Sequence, residues 1–244
     1  SASLQVPSGA ARCYRPARMG WFNWRKWLVM THRWLGILGC VLFIVWFVSG
    51  IVMMYARMPE LANEERLARA PVLDLSTATL SPSDAAGTAG VRADRIQVGM
   101  LLERPVYRLG GARDQTIVFA DTGEPFVGLD EAQARDVARR YAPDGALLRY
   151  DAYMIDPDQW TLQAGALLPI HRFALDDAAG TRLYVSEVSG DVVLRTTRRE
   201  RFWAYLGPVL HWVYFTPLRS NGRIWSEFVI WSSLVGCLMC VAGL

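Results

Sequence analysis

Between Trp34 and Ala56 lie 23 consecutive residues without a charge. At the helical rise they cover about 35 Å, enough to cross a bilayer core of roughly 30 Å with some tilt. The run predicts a membrane-spanning helix over 30–56, with His32 and Arg33 at its entrance. On a helix, Gly36, Gly39, Phe43, Trp46 and Gly50 stack beneath His32. One face therefore carries an imidazole above small and aromatic residues.

Charge orients this span. Residues 1–33 hold Arg12, Arg15, Arg18, Arg25, Lys26 and Arg33 and no acid, whereas the rest is mixed in sign. The positive-inside rule keeps residues 1–29 in the cytoplasm and exports the long segment on the far side of the span. The basic residues alternate with Trp21, Trp24 and Trp27, as an interfacial anchor would, which argues against a nucleic-acid-binding arm. The apolar run exceeds the usual h-region of a cleaved signal and ends in no small-x-small site, so an uncleaved anchor is expected.

The exported segment, 57–200, contains none of the four cysteines (Cys13, Cys40, Cys237, Cys240), so no disulfide framework is expected there. Cys237-x-x-Cys240 sits in an apolar helical run and reads as small apolar residues. A Pro-, Ser- and Thr-bearing linker, Pro71 to Ser83, leads into a duplicated pattern. Pro105-Val-Tyr-Arg-Leu and a following Ile117-Val-Phe-Ala-Asp-Thr-Gly strand and turn are matched by Pro169-Ile-His-Arg-Phe and Leu183-Tyr-Val-Ser-Glu-Val-Ser-Gly. Each half predicts a hairpin and a Gly-centred turn, in units of about 81–128 and 129–195. Leu129 to Ala142 predicts a helix with Leu129, Ala132, Val137 and Tyr141 inward and Pro143 as its stop, and Ser81-Pro-Ser-Asp opens a weaker equivalent. Two helix-plus-antiparallel-sheet units sharing one core are expected.

Residues 202–218 are uncharged but interrupted by Pro208 and Pro217 and rich in Trp and Tyr. They predict an interfacial aromatic segment, 201–218, in which Pro208 opens a short helix carrying His211. A second span, 224–244, is still apolar at Leu244, so the chain is expected to be the first part of a longer protein.

Three histidines carry the chemistry: His32, His171 and His211. Intramembrane imidazoles are functional candidates, and haem iron accepts a histidine nitrogen while its porphyrin fits an apolar slot such as that beneath His32. The competing reading is that Gly36 and Gly39 let two helices approach and His32 snorkels to the headgroups. Spacing leaves both open, and the same pair applies to His211. The predicted topology separates His32 from His211 by about 30 Å, so they do not share one iron. His171 replaces Tyr107 in the repeat and reads as a packing or hydrogen-bonding residue.

His32-Arg-Trp-Leu-Gly, then Trp46-x-x-Ser49-Gly50, the Tyr184-Val strand with its Gly turn, and Leu210-His211 before an apolar helix resemble the PepSY-associated transmembrane family of bacterial inner-membrane proteins, over most of residues 25–244. The resemblance implies four or more membrane helices, periplasmic PepSY units and, in members similar to ferric-siderophore reductases, b-type haems on membrane histidines. Carried over, it makes His32 and His211 candidate axial ligands of haem b, with Gly36 and Gly39 packing the porphyrin. The expected fold class is a membrane α-helical protein with an inserted periplasmic α+β domain of two PepSY-like units. The implied function is electron transfer to a periplasmic ferric siderophore or other iron chelate. The alternative is a non-catalytic membrane protein that binds or restrains a periplasmic partner protein.

Overall fold

The computed structural model describes residues 24–92, 94–110 and 115–243, apart from the side chain of Ala242. The expectations for Trp21, Cys13 and the rest of 1–23 lie outside them. Two compact units are present among the described residues: 24–42 with 230–243, and the described part of 43–229.

The long apolar helix α1 runs Trp24–Met53, six residues earlier than the uncharged run suggests and ending before Ala56. It is long and apolar enough to cross a membrane, as is the C-terminal helix α7, Gly222–Gly243. In α1 only Ser49 is fully buried, while 32, 35, 36, 39, 43, 46 and 50 are half-buried along one face. The first unit is an antiparallel helix pair. The open face of Gly36 lies 4.0 Å from Met239 Cε, and His32 lies against Gly243.

The second unit contains two antiparallel sheets. After the short helices α2 (Asn63–Ala68) and α3 (Pro82–Thr88), strands β1 (Ile96–Leu101), β2 (Arg104–Leu109) and β3 (Thr116–Phe119) pair in chain order. Helix α4 (Glu131–Arg139) then precedes β4 (Leu148–Met154), β5 (Ile170–Leu175), β6 (Arg182–Ser186) and β7 (Val192–Thr196), also paired in order. The matching motifs occupy matching places: Tyr107 of β2 faces Val118, and His171 of β5 faces Val185.

Capping fixes where the helices begin. The Ser81 hydroxyl accepts from Asp84 N ahead of Pro82, and Asp130 with Gln133 forms a capping box that starts α4. Helix α4 turns Ala134, Val137 and Ala138 inward, while Ala132 is exposed, contrary to the expectation for that residue. The sequence 134, 137, 138, 141 is the i, i+3, i+4, i+7 stripe that one helix face requires, and 132 falls outside it.

One core joins both sheets. Leu101, Val106, Ile117 and Phe119 of the first pack in the same cluster as Val137, Phe173, Leu183 and Val185 of the second half. Gly190 shows how closely the two approach. It has φ +70°, and a Cβ there would stand 2.5 Å from Leu101 Cδ1, so the β6–β7 turn needs a residue with no side chain.

Helix α5 (Arg198–Ala204), begun by a Thr197/Glu200 capping box, continues without a break into a π-helical segment, Tyr205–Val209. Pro208 lies inside this segment rather than opening a helix, contrary to expectation. Proline has no N–H for the helical ladder, and the wider turn accommodates that loss. Helix α6 (Thr216–Arg219) and α7 complete the described chain.

Leu183 is fully buried in the shared core. Leu183→Ala is expected to cost about 2–5 kcal/mol. Hydrogen exchange at β2 and β5 amides should show the two sheets destabilised together; loss of protection in β5 alone would contradict a shared core.

Candidate functional site

The segment after the π turn is held against the last turns of α1. A Cβ on Gly207 would stand 3.2 Å from the Met53 backbone nitrogen, so the two backbones are in direct contact. Gln159, from the β4–β5 connection, fastens the far side. Its Nε2 donates to the Tyr214 carbonyl at 2.6 Å, and its Oε1 accepts from Thr216 N and Oγ1 at 3.1 and 3.0 Å.

His211 lies within this contact. The Trp46 indole N–H donates to the His211 carbonyl at 2.7 Å. In return, His211 Nδ1 lies 3.2 Å from the Trp46 carbonyl oxygen and 3.3 Å from Ser49 Oγ. Ser49, only 1% exposed, uses its own proton on the Trp46 carbonyl at 3.1 Å. A carbonyl only accepts, so Nδ1 carries the imidazole proton. In the neutral ring Nε2 is then unprotonated and offers a lone pair, and no hydrogen bond reaches it among the described residues. Gly50 makes room for the ring: a Cβ there would be 3.2 Å from His211 Cε1.

His171 has the opposite arrangement. It is 5% exposed, with Nε2 at 3.2 Å from the Leu129 carbonyl and Nδ1 at 3.1 Å from the Tyr150 hydroxyl. The carbonyl places the proton on Nε2, and Nδ1 accepts from Tyr150. Burial raises the Tyr150 phenol, so its proton stays available for that bond. Tyr107, at the equivalent position, donates to the Leu80 carbonyl at 2.9 Å. Leu80 and Leu129 each immediately precede a helix N-cap, Ser81 and Asp130. Tyrosine and histidine thus do the same task in the two halves, tying a strand to the entry of its helix.

His32 is half-buried on α1. A Cβ on Gly243 would lie 3.0 Å from its Cε1, and its Nδ1 is buried without a partner among the described residues. Gly36 faces Met239, and Gly39 is half-buried on the same face. Cys237 and Cys240 are free and exposed along α7. Among the described residues no three His, Cys, Asp or Glu side chains converge as a metal site would require. An iron held in a porphyrin needs only one or two protein ligands, so a single free imidazole nitrogen can serve it.

No family model, characterised protein or solved structure matches the chain.

Helical spacing alone makes the stack beneath His32 a slot for one histidine. Its lower residues, Trp46 and Gly50, instead contact His211, and Ser49 one position away completes the grip. The signal in the sequence is a lone small polar residue, Ser49, beside glycine in an otherwise apolar run.

His171→Ala leaves the Leu129 carbonyl and Tyr150 hydroxyl unpaired and is expected to cost about 1–3 kcal/mol. Urea unfolding of the full chain in detergent checks this, and an unchanged midpoint would contradict it.

Proposed function

We propose that this chain crosses a bacterial inner membrane through α1 and α7 and holds haem on His211 and His32, passing electrons to a ferric chelate in the periplasm. The observation that carries the proposal is the His211 geometry. Trp46 and Ser49 hold the proton on Nδ1 and leave Nε2 free, and a hydrogen bond from the far nitrogen is what orients a ligating histidine and raises its basicity. A ring that served only packing would gain by using both nitrogens, as His171 does. For His32 the support is its buried, unpaired Nδ1.

Bound haem supplies a one-electron couple whose potential follows its axial ligands and surroundings. The chain's own residues orient the ring. Trp46 clamps the His211 backbone, and Gly50 leaves space for the ring. His32 precedes Ser49 by 17 positions on α1, about 25 Å at the helical rise, so two sites rather than one are proposed. The basic N-terminal flank supports a topology with His32 on the cytoplasmic side and the two-sheet domain in the periplasm.

The absorption spectrum of the full chain purified in detergent from haem-replete cells tests this. A Soret band is expected, reduced by about half in His211→Ala and again in His32→Ala, and unchanged in His171→Ala. No band, or one unaffected by either membrane histidine, would overturn the proposal.

A further inference from the structure

The two-sheet domain contains a cleft of about 620 Å³, within the usual span for small-molecule sites. Arg66, Leu67, Arg69, Ala70, Pro71 and Leu73, from α2 and the chain after it, form one wall. Residues 97–100 of β1 form another; β1 pairs only with β2, so its other edge is open. Val137, Tyr141 and Val192 supply an apolar floor.

The charges in this cleft are strongly one-sided. Its lining includes Arg66, Arg69, Arg108 and Arg140, and an adjoining cavity that shares Arg66 and Arg108 adds Arg95. The only carboxylate in either lining is Asp191. Asp191 pairs with Arg108 at 2.9 Å, and Arg108 also donates to the Ser189 carbonyl at 2.7 Å, so this pair is structural. Arg140 reaches out to the exposed Glu103 at 2.7 Å and offers its carbonyl to Arg69 at 2.8 Å. Glu65, next to Arg66 in sequence, turns instead to Arg195 at 3.1 Å. Among the described residues Arg66, Arg69 and Arg95 have no ion pair.

Three arginines, Arg66, Arg69 and Arg95, line these adjoining cavities without an ion pair, and the fold directs a nearby acid elsewhere. Such like-charge crowding is relieved by an anion, and a planar guanidinium matches a carboxylate with two parallel hydrogen bonds. The apolar floor suits a carbon skeleton between the anionic groups. We propose that this cleft binds a small polycarboxylate whose carboxylates pair with Arg66 and Arg69, and with Arg95 where the adjoining cavity meets it. The inference deepens the electron-transfer proposal and rests on it only for the metal: there the polycarboxylate carries ferric iron.

The test is equilibrium dialysis of the full chain in detergent against labelled citrate and, separately, ferric citrate. Saturable binding is expected. The double variant Arg66→Gln/Arg69→Gln should weaken it about tenfold or more, and Arg149→Gln, a 72% exposed arginine outside the cleft, by less than about twofold. Raising salt from about 50 to about 200 mM should weaken it several-fold. Tighter binding of ferric citrate identifies a chelate and equal binding a free polycarboxylate; the site stands in either case. No saturable binding of either, full retention by the double variant, or displacement by inorganic phosphate as effective as by citrate would overturn it. Dialysis does not read haem, so failure of the haem proposal and failure of this one are separately visible.

Discussion

The reciprocal contact between Trp46 and His211 is the interaction on which the site depends. Each residue gives a hydrogen bond to the other's carbonyl, so the pairing fixes position and proton placement at once. Each bond is worth only about 1 kcal/mol, but the two act together on one contact. The contact is possible because Gly50 and Gly207 keep the two segments close and because Pro208 lies in a π turn. Gln159 ties the same segment to the two-sheet domain through Tyr214 and Thr216. The two-sheet domain, through Gln159, and the α1 contact therefore both constrain the segment that carries His211.

Much of the architecture is legible in the chain. A 23-residue uncharged run has few alternatives to a long helix, and the Pro-x-[Tyr/His]-Arg repeat marks two equivalent hairpins. Strands β1 and β4 are not legible as strands. Ile96-Gln-Val-Gly-Met-Leu contains a glycine and faces largely outward, and Leu148-Arg-Tyr-Asp-Ala-Tyr-Met carries charges and a bulge near Asp151. Both are edge strands, where pairing from one neighbour rather than sequence pattern decides the conformation.

The site itself is half legible. His211 stands out as a histidine in an apolar aromatic stretch, but its proton placement depends on a contact 165 residues away in sequence. No local pattern encodes that. The same holds for the arginine cleft: Arg66, Arg69, Arg95, Arg108 and Arg140 are scattered from α2 to the end of α4, and only the approach of the two halves at Gly190 and Leu101 gathers them. Neither feature has a spacing signature, because each is built from long-range packing.

Everything proposed for His211 turns on its proton placement, which is opposite to that of His171: Nδ1–H in His211, held by the Trp46 carbonyl, and Nε2–H in His171, held by the Leu129 carbonyl. Nitrogen NMR of the histidine-labelled full chain, with His32 assigned by substitution, reads this directly. An unprotonated nitrogen at Nε2 of His211 and at Nδ1 of His171 is the predicted result. The same tautomer in both rings, or the reverse assignment, would contradict it.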